Sequence, residues 1–263
     1  MTPVTCMVGR RVALEPGVPC GRCDACKTGH YNLCPHMAFF ATPPYDGSLQ
    51  QYVTLPAHLV HVVPDEMSLE HAALIEPLAV AVMACRAPGL RGGERVLVTG
   101  AGAIGLLCAQ VARAFGAATV WLSDVDEGRV ARGRQYPGIE GVTADAVSPD
   151  MAADVLVECS GSPHALRSGL AALRPGGIAV AVGFGPDAEV SIPLRTMQVR
   201  EITLTSTFRY ANAYPAAIAL ARDGRVRLDG LIGASYPLAE TEQALRVAHE
   251  RPDVLRAAVY PQT

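Results

Sequence analysis

The sequence predicts an α/β fold organised around a doubly wound parallel sheet, and three observations carry that expectation. Arg95-Val96-Leu97-Val98-Thr99 is a short apolar run rich in β-branched residues, the pattern of a buried parallel strand. It runs directly into Gly100-Ala101-Gly102-Ala103-Ile104-Gly105, after which Leu106 to Phe115 has a helical pattern. A second apolar strand, Thr119 to Leu122, ends at Ser123-Asp124. Each piece has a physical use. Gly100 permits a tight turn, Gly102 lets the backbone approach a pyrophosphate, and Gly105 lets the helix pack closely on the strand. The helix N-terminus offers free N–H groups to phosphate. Asp124 follows Gly105 at the ~20-residue distance where a carboxylate reaches the adenosine ribose hydroxyls. The plain alternative is a glycine-rich turn in some other α/β protein; the strand, helix and acid in register favour a Rossmann dinucleotide site. Gly100, Gly102, Ile104, Gly105 and Asp124 are its candidate contacts, and the carboxylate, which would repel a 2′-phosphate, favours NAD over NADP.

The chain has 263 residues, half of them hydrophobic and 18% charged, so it can bury a sizeable core in one large domain or two ordinary ones. A net charge of −3 without a basic run argues against a nucleic-acid or anionic-membrane partner. No apolar run reaches bilayer-spanning length, and Met1-Thr2-Pro3-Val4 does not read as the start of a signal peptide. Eight cysteines in that setting point to a reducing, cytoplasmic location, where clustered thiols hold metal more often than they pair.

Residues 1–78 read as a β-rich region with many breakers. Strands are expected at Arg11 to Leu14, at Leu49 to Leu55 after Asp46-Gly47, and at Leu59 to Val63 before Pro64-Asp65. Between them, Cys20, Cys23, Cys26 and Cys34 sit on a short, glycine-containing stretch. Four thiolates at this spacing suit a closed, structural tetrahedral Zn²⁺; disulfides are the alternative, but adjacent Cys-x-x-Cys pairs close poor loops. Cys6, Cys85, Cys108 and Cys159 have no partner spacing and read as small apolar core residues or spare thiols. His58 and His61 read as ordinary strand residues.

Beyond Asp124 the alternation continues: a charged helix from Glu127 to Tyr136, a strand from Asp154 to Glu158, a helix from Pro163 to Leu173 stopped by Pro175-Gly176-Gly177, and strands at Ile178 to Val182 and Ile202 to Ser206. Ligands in such sheets lie beyond strand carboxyl ends, which makes Cys159-Ser160-Gly161 a candidate cofactor wall. Tyr214 to Arg222 and Glu240 to Glu250 read as helices, and Leu255 to Tyr260 as a final strand. The expected division is 1–78, 79–206 and 207–263.

Cys20 to Cys34, followed by Phe39-Phe40-Ala41-Thr42-Pro43-Pro44-Tyr45-Asp46-Gly47, resembles the zinc-containing polyol dehydrogenases, the sorbitol, xylitol and L-iditol branch of the medium-chain dehydrogenase/reductase family. The similarity continues through Ala73-Leu74-Ile75-Glu76-Pro77-Leu78, the nucleotide loop and Thr207-Phe208-Arg209-Tyr210. It implies a GroES-like catalytic domain with a structural zinc lobe, to which residues 207–263 return, joined to a Rossmann domain. It also implies NAD and zinc as cofactors, a small-molecule polyol substrate and a homo-oligomer, dimer or tetramer. By this resemblance Glu76 faces the catalytic zinc, and Arg209 and Tyr210 contact substrate or cofactor. Arg129 packs near the adenosine, and Val182, Gly183, Phe184, Thr207 and Phe208 join the cofactor contacts. The plain readings beside these are a helix-entry carboxylate at Glu76, an ordinary surface Arg129 and a surface Arg-Tyr pair.

The family's catalytic zinc is held by a Cys in a Gly-x-Cys-x-Ser/Thr-Asp context and by a Gly-His-Glu, and neither occurs here; His249-Glu250 sits in the C-terminal helix as a decoy. The expectation is therefore a polyol dehydrogenase sequence without the front of its catalytic barrel. Zinc-dependent, NAD-linked oxidation of a polyol or secondary alcohol to a ketose is the family activity; NAD(H) binding without catalysis, as a sensor or oligomer partner, is the alternative. Arg11 to Leu14 is expected to lack strand neighbours, and residues 1–78 to be poorly protected beside a stable nucleotide domain.

Overall fold

A computed structural model describes residues 7–251 and 253–261, so Cys6 lies outside the described residues. The chain forms two compact units. The first comprises residues 1–79, 209–223 and 227–263; the second comprises 80–208 and 224–226.

The first unit opens with β1 (Val12–Leu14), β2 (Gly17–Val18), α1 (Asp24–Lys27), β3 (Ala38–Phe39) and β4 (Val60–Val62). β1 pairs antiparallel with β4, Val12 facing Val62, and β2 pairs antiparallel with β3, Gly17 facing Phe39. This corrects the expectation that Arg11–Leu14 lacks a neighbour: the run Leu59–Val63 folds back onto it. Its span is shorter than expected, because Ala57–Leu59 forms a 3₁₀ turn after Pro56. His58 therefore lies in that turn and not in a strand. No strand forms over 49–55. Alternating apolar residues specify a strand only where a partner edge supplies the ladder, and none does so there among the described residues; Tyr52 is 83% exposed. α2 (Leu69–Ala73) is capped by Ser68 Oγ, which accepts from the His71 N–H at 3.0 Å. α3 (Ile75–Arg86) follows, with Glu76 and Pro77 in its first turn; the division between units falls inside this helix.

The second unit holds β5 (Arg95–Thr99), α4 (Ala103–Ala114), β6 (Thr119–Asp124), α5 (Glu127–Gly133), β7 (Glu140–Thr143), β8 (Ala153–Glu158), α6 (Pro163–Ala172), β9 (Leu173–Ala181), α7 (Leu194–Val199) and β10 (Thr203–Ser206). The six strands form one parallel sheet in the order β10-β9-β8-β5-β6-β7. The strand order reverses between β5 and β8, the switch point of a doubly wound Rossmann sheet. Val96, Leu97 and Val98 are fully buried, as a central strand covered on both faces requires. Pro175-Gly176-Gly177 does not end an element as expected. β9 runs through it, and its register on β8 shifts from Ala153↔Leu173 to Val155↔Ile178. The extra residues bulge out of the ladder, with Gly176 at φ +72°.

The chain then returns to the first unit with α8 (Tyr214–Arg222), β11 (Ile232–Pro237), α9 (Thr241–Glu250) and β12 (Arg256–Tyr260). β11 and β12 pair in parallel and α9 packs on both. Neither β7 nor β11 was legible locally; each gains its ladder from a neighbouring strand. No helix among the described residues is long and apolar enough to cross a membrane.

Candidate functional site

In the second unit the glycine loop is shaped by contacts that no side chain could share. Gly100 has φ +90°, and a Cβ there would lie 2.8 Å from the Ser160 nitrogen. A Cβ on Gly105 would collide with the Gly100 carbonyl. Gly102, the N-cap of α4, faces open space, with nothing within 4 Å of a Cβ. Ile104 follows it in the first turn, where the helix N–H groups lack intrahelical acceptors. Asp124 ends β6 and is 9% exposed. Its Oδ2 accepts from the Ala101 N–H at 2.7 Å and its Oδ1 from the Asp126 N–H at 3.0 Å. The acid thus latches the glycine loop to β6, and each oxygen keeps a lone pair for a ribose hydroxyl. Arg129 Nη1 stands 4.0 Å from Oδ2.

Val182 and Gly183 donate their N–H groups to the Glu158 carbonyl at 2.8 and 2.9 Å, which fixes the turn after β9. Phe184, 81% exposed, meets Phe208 edge-on with centroids 6.2 Å apart. Two cavities flank the switch point. One, of about 420 Å³, is lined by Glu158, Gly161, Gly183 and Phe184; the other, of about 170 Å³, by Gly100, Asp124, Val125 and His164. Buried Thr207 Oγ1 and Arg129 Nε have no hydrogen-bond partner among the described residues. Orphaned polar atoms, an open Gly102 and a carboxylate with spare lone pairs fit a bound dinucleotide.

Sequence reasoning missed Glu158. This buried acid at the end of β8 accepts from the Ser160 N–H (2.7 Å), the Gly161 N–H (3.1 Å) and Thr99 Oγ1 (3.4 Å). Its signal was a carboxylate following the apolar run Val155-Leu156-Val157 at the end of the strand.

The first unit brings Glu76 and Tyr210 together. Buried Tyr210 donates to Glu76 Oε1 at 2.9 Å. Burial pushes the half-buried Glu76 carboxyl up, against the Tyr210 hydrogen bond and the charges of Arg256 and Arg209. Burial and the Glu76 charge likewise raise the Tyr210 phenol, which stays a donor. Arg209 adopts φ +56° and its guanidinium lies 3.6 Å from the Phe39 ring centroid. Behind Tyr210, Tyr214 packs edge-on at 5.4 Å and donates to the Leu14 carbonyl at 2.7 Å. His61 stacks on Tyr214 at 4.7 Å and bonds Glu15 Oε2 at 2.9 Å; Tyr31 donates to Glu15 Oε1 at 2.7 Å. His61 lies in β4, as its sequence context suggested, and is in addition a partner of a buried acid.

The sulfur atoms of Cys20, Cys23, Cys26 and Cys34 all lie within 4.8 Å of one another. Cys23 Sγ is 3.4 Å from Cys26 Sγ and 3.9 Å from Cys34 Sγ. A tetrahedral ZnS₄ shell with ~2.3 Å bonds has S···S edges of about 3.8 Å, so the four residues fit a structural zinc. Backbone N–H groups of Arg22 and Cys23 lower the Cys20 thiol to about 6, toward the thiolate a metal needs. Among the described residues this is the one such group of three or more His, Cys, Asp or Glu donors. The residues described thus fit one structural metal and do not assemble a second donor set.

The dinucleotide cradle and the four-cysteine lobe define a metal-containing dehydrogenase class, and comparison with known proteins agrees. Residues 103–223 match the zinc-binding dehydrogenase family, and residues 4–65 match the alcohol dehydrogenase GroES-like domain. The chain is 41% identical over 253 residues to probable D-xylulose reductase A of Aspergillus clavatus, covering 91% of this chain and 70% of that protein. It is 37% identical over 266 residues to sorbitol dehydrogenase of Bacillus subtilis, covering 97% and 75% respectively. The solved structure of L-idonate 5-dehydrogenase from Escherichia coli matches with a TM-score of 0.87 at 28% identity, over 96% of this chain and 76% of that one. The chain belongs to the zinc-binding dehydrogenase family, whose members are oxidoreductases.

Proposed function

We propose that this chain carries out NAD-linked oxidation of a polyol's secondary alcohol to a ketose, in the cytoplasm and as a homo-oligomer. The observation that carries the reading is the convergence of Glu76 with Tyr210, flanked by the charges of Arg209 and Arg256. A carboxyl raised by burial takes a proton more readily than an ordinary one, and Tyr210 fixes one of its oxygens. Arg209, braced on Phe39, offers donors in a fixed fork to a polyhydroxylated ligand. Gly102 and the start of α4 take the pyrophosphate, Asp124 the ribose, and Val182, Gly183, Phe184, Thr207 and Phe208 the remaining face. Bound NAD supplies the hydride acceptor. Cys20, Cys23, Cys26 and Cys34 hold a structural zinc. The similarity to D-xylulose reductase and sorbitol dehydrogenase supports a polyol as substrate.

A second reading, NAD(H) binding without turnover as a sensor or oligomer partner, is favoured by one observation: no second donor group of three or more converges among the described residues. The test is titration with NADH and NADPH, followed by turnover assays with sorbitol, xylitol and other polyols in the presence of zinc. Tight NADH binding with turnover supports the dehydrogenase. Binding without turnover supports the second reading, and absence of binding overturns both.

A further inference from the structure

Three cysteines far apart in sequence meet inside the second unit. Cys108 lies in the middle of α4, Cys159 directly follows β8, and Cys85 belongs to α3. Cys159 Sγ is 3.7 Å from Cys108 Sγ, and Cys85 Sγ is 3.5 Å from the Cys108 carbonyl oxygen. Cys85 and Cys108 are buried, whereas Cys159 is partly exposed. The trio is not among the converging metal-donor groups, and the cofactor cradle uses none of the three sulfurs.

We propose that Cys108 and Cys159 are an oxidation site, joined by a reversible disulfide in the presence of hydrogen peroxide, and that this bond weakens dinucleotide binding. The second clause rests on the cofactor reading given above. Cys159, the partly exposed member, attacks one peroxide oxygen. The O–O bond breaks, and the departing hydroxide leaves as water with the Cys159 proton, so Cys159 becomes a sulfenic acid. Cys108 then attacks that sulfur. The S–O bond breaks, a second water leaves with the Cys108 proton, and the S–S bond forms; both sulfurs are oxidised and the peroxide is reduced. The contact between the two sulfurs pushes the Cys108 thiol down and, with burial, the Cys159 thiol up, so the order of attack rests on access: Cys159 is the member that peroxide can reach.

Bond formation draws the sulfurs from 3.7 Å to ~2.05 Å, which moves Cys159 relative to α4. Cys159 has little room to move freely. Its carbonyl carbon lies 3.0 Å from a Cβ placed on Gly100 and 2.8 Å from one placed on Gly183, and its own Cβ lies 3.6 Å from one on Gly105. Those three glycines frame the pyrophosphate turn and the loop after β9, so a shift of Cys159 is passed to both.

The experiment treats the reduced full chain with hydrogen peroxide, blocks remaining thiols and maps linked peptides without reduction. A Cys108–Cys159 link is expected, absent from Cys108→Ser and Cys159→Ser and retained in Cys85→Ser. In parallel, NADH affinity is measured by fluorescence titration; it should fall about tenfold on oxidation and recover with dithiothreitol. Cys108→Ser keeps the four zinc-lobe thiols, so an undiminished peroxide effect in that variant would assign the loss to the lobe and overturn the coupling. Alkylated Cys108 and Cys159 after peroxide, or a sulfinic acid without a link, overturn the oxidation site. A link with unchanged NADH affinity overturns the coupling. Reduced chain that fails to bind NADH overturns the cofactor reading and the coupling together, while the peptide map still decides the oxidation site.

Discussion

Tyr210 donates its phenolic hydrogen to Glu76 Oε1 across 2.9 Å, although the two residues are 134 positions apart in the chain. The bond gives a carboxyl in an apolar frame the partner that burial demands. It also sets a trade between stability and chemistry, because burial still raises the Glu76 carboxyl. An acid whose folded-state pKa is raised contributes most below its unfolded value of ~4.3, and that contribution is lost as pH rises through the folded value. Glu76→Gln should therefore gain thermal stability relative to the parent chain as pH is raised from 5 to 8, while polyol turnover falls about 100-fold or more. Melting temperatures across that range decide it; a difference that shrinks with rising pH would refute the assignment.

Tyr210→Phe leaves Glu76 short of a donor. The loss should cost about 1–3 kcal/mol of unfolding free energy, read from denaturant midpoints. Removing Glu76 as well, in the Glu76→Gln/Tyr210→Phe pair, should recover part of that cost. Strict additivity of the two changes would mean that they do not act on one another.

For the four-cysteine lobe, elemental analysis of the purified chain should return about one zinc per chain, and Cys23→Ser should lose it. The described sulfurs form one group, so a stoichiometry near two would reveal a second site.

Asp124 supports the proposed cofactor reading in two ways, by latching Ala101 and by lining the cavity beside the glycine loop that the proposal gives to the ribose. Asp124→Ser removes both, and NADH affinity should fall about tenfold to a hundredfold while the discrimination against NADPH narrows. Titration of both nucleotides measures it; an unchanged NADH-to-NADPH ratio would place selectivity elsewhere.

Hydrogen exchange should separate the segments that have a ladder from those that do not. Amides of Val96–Val98, central in the parallel sheet, should exchange slowly, and those of 49–55 quickly. Intermediate protection is expected for Val12–Leu14, which pairs on one side with β4. Equal, strong protection at 49–55 would show that this stretch pairs in solution.

The nucleotide cradle could be read from the chain because its signals are local. A buried strand, three glycines at fixed offsets, a helix and an acid lie within thirty residues, about the length of one βαβ unit. The four cysteines share that property, since their spacing alone brings them to one loop. What could not be read depends on distant partners. The run 49–55 holds strand-favouring residues yet finds no partner edge among the described residues, and Pro175-Gly176-Gly177 looks like a stop but becomes a bulge, because β8 holds the strand on either side of it.

By itself, then, the sequence determined the sheet's α/β order, the dinucleotide turn and the metal lobe, each encoded by residues close enough to dictate their own geometry. Only the tertiary structure decided the rest. It set Glu158 beneath the Ser160 and Gly161 amides, Tyr210 on Glu76, His61 on Glu15, and Cys159 within 3.7 Å of Cys108. Apart from the local turn at Glu158, those pairings join residues that no local period relates. They form because burying a carboxyl, an imidazole or a thiol is costly until folding delivers a partner to it.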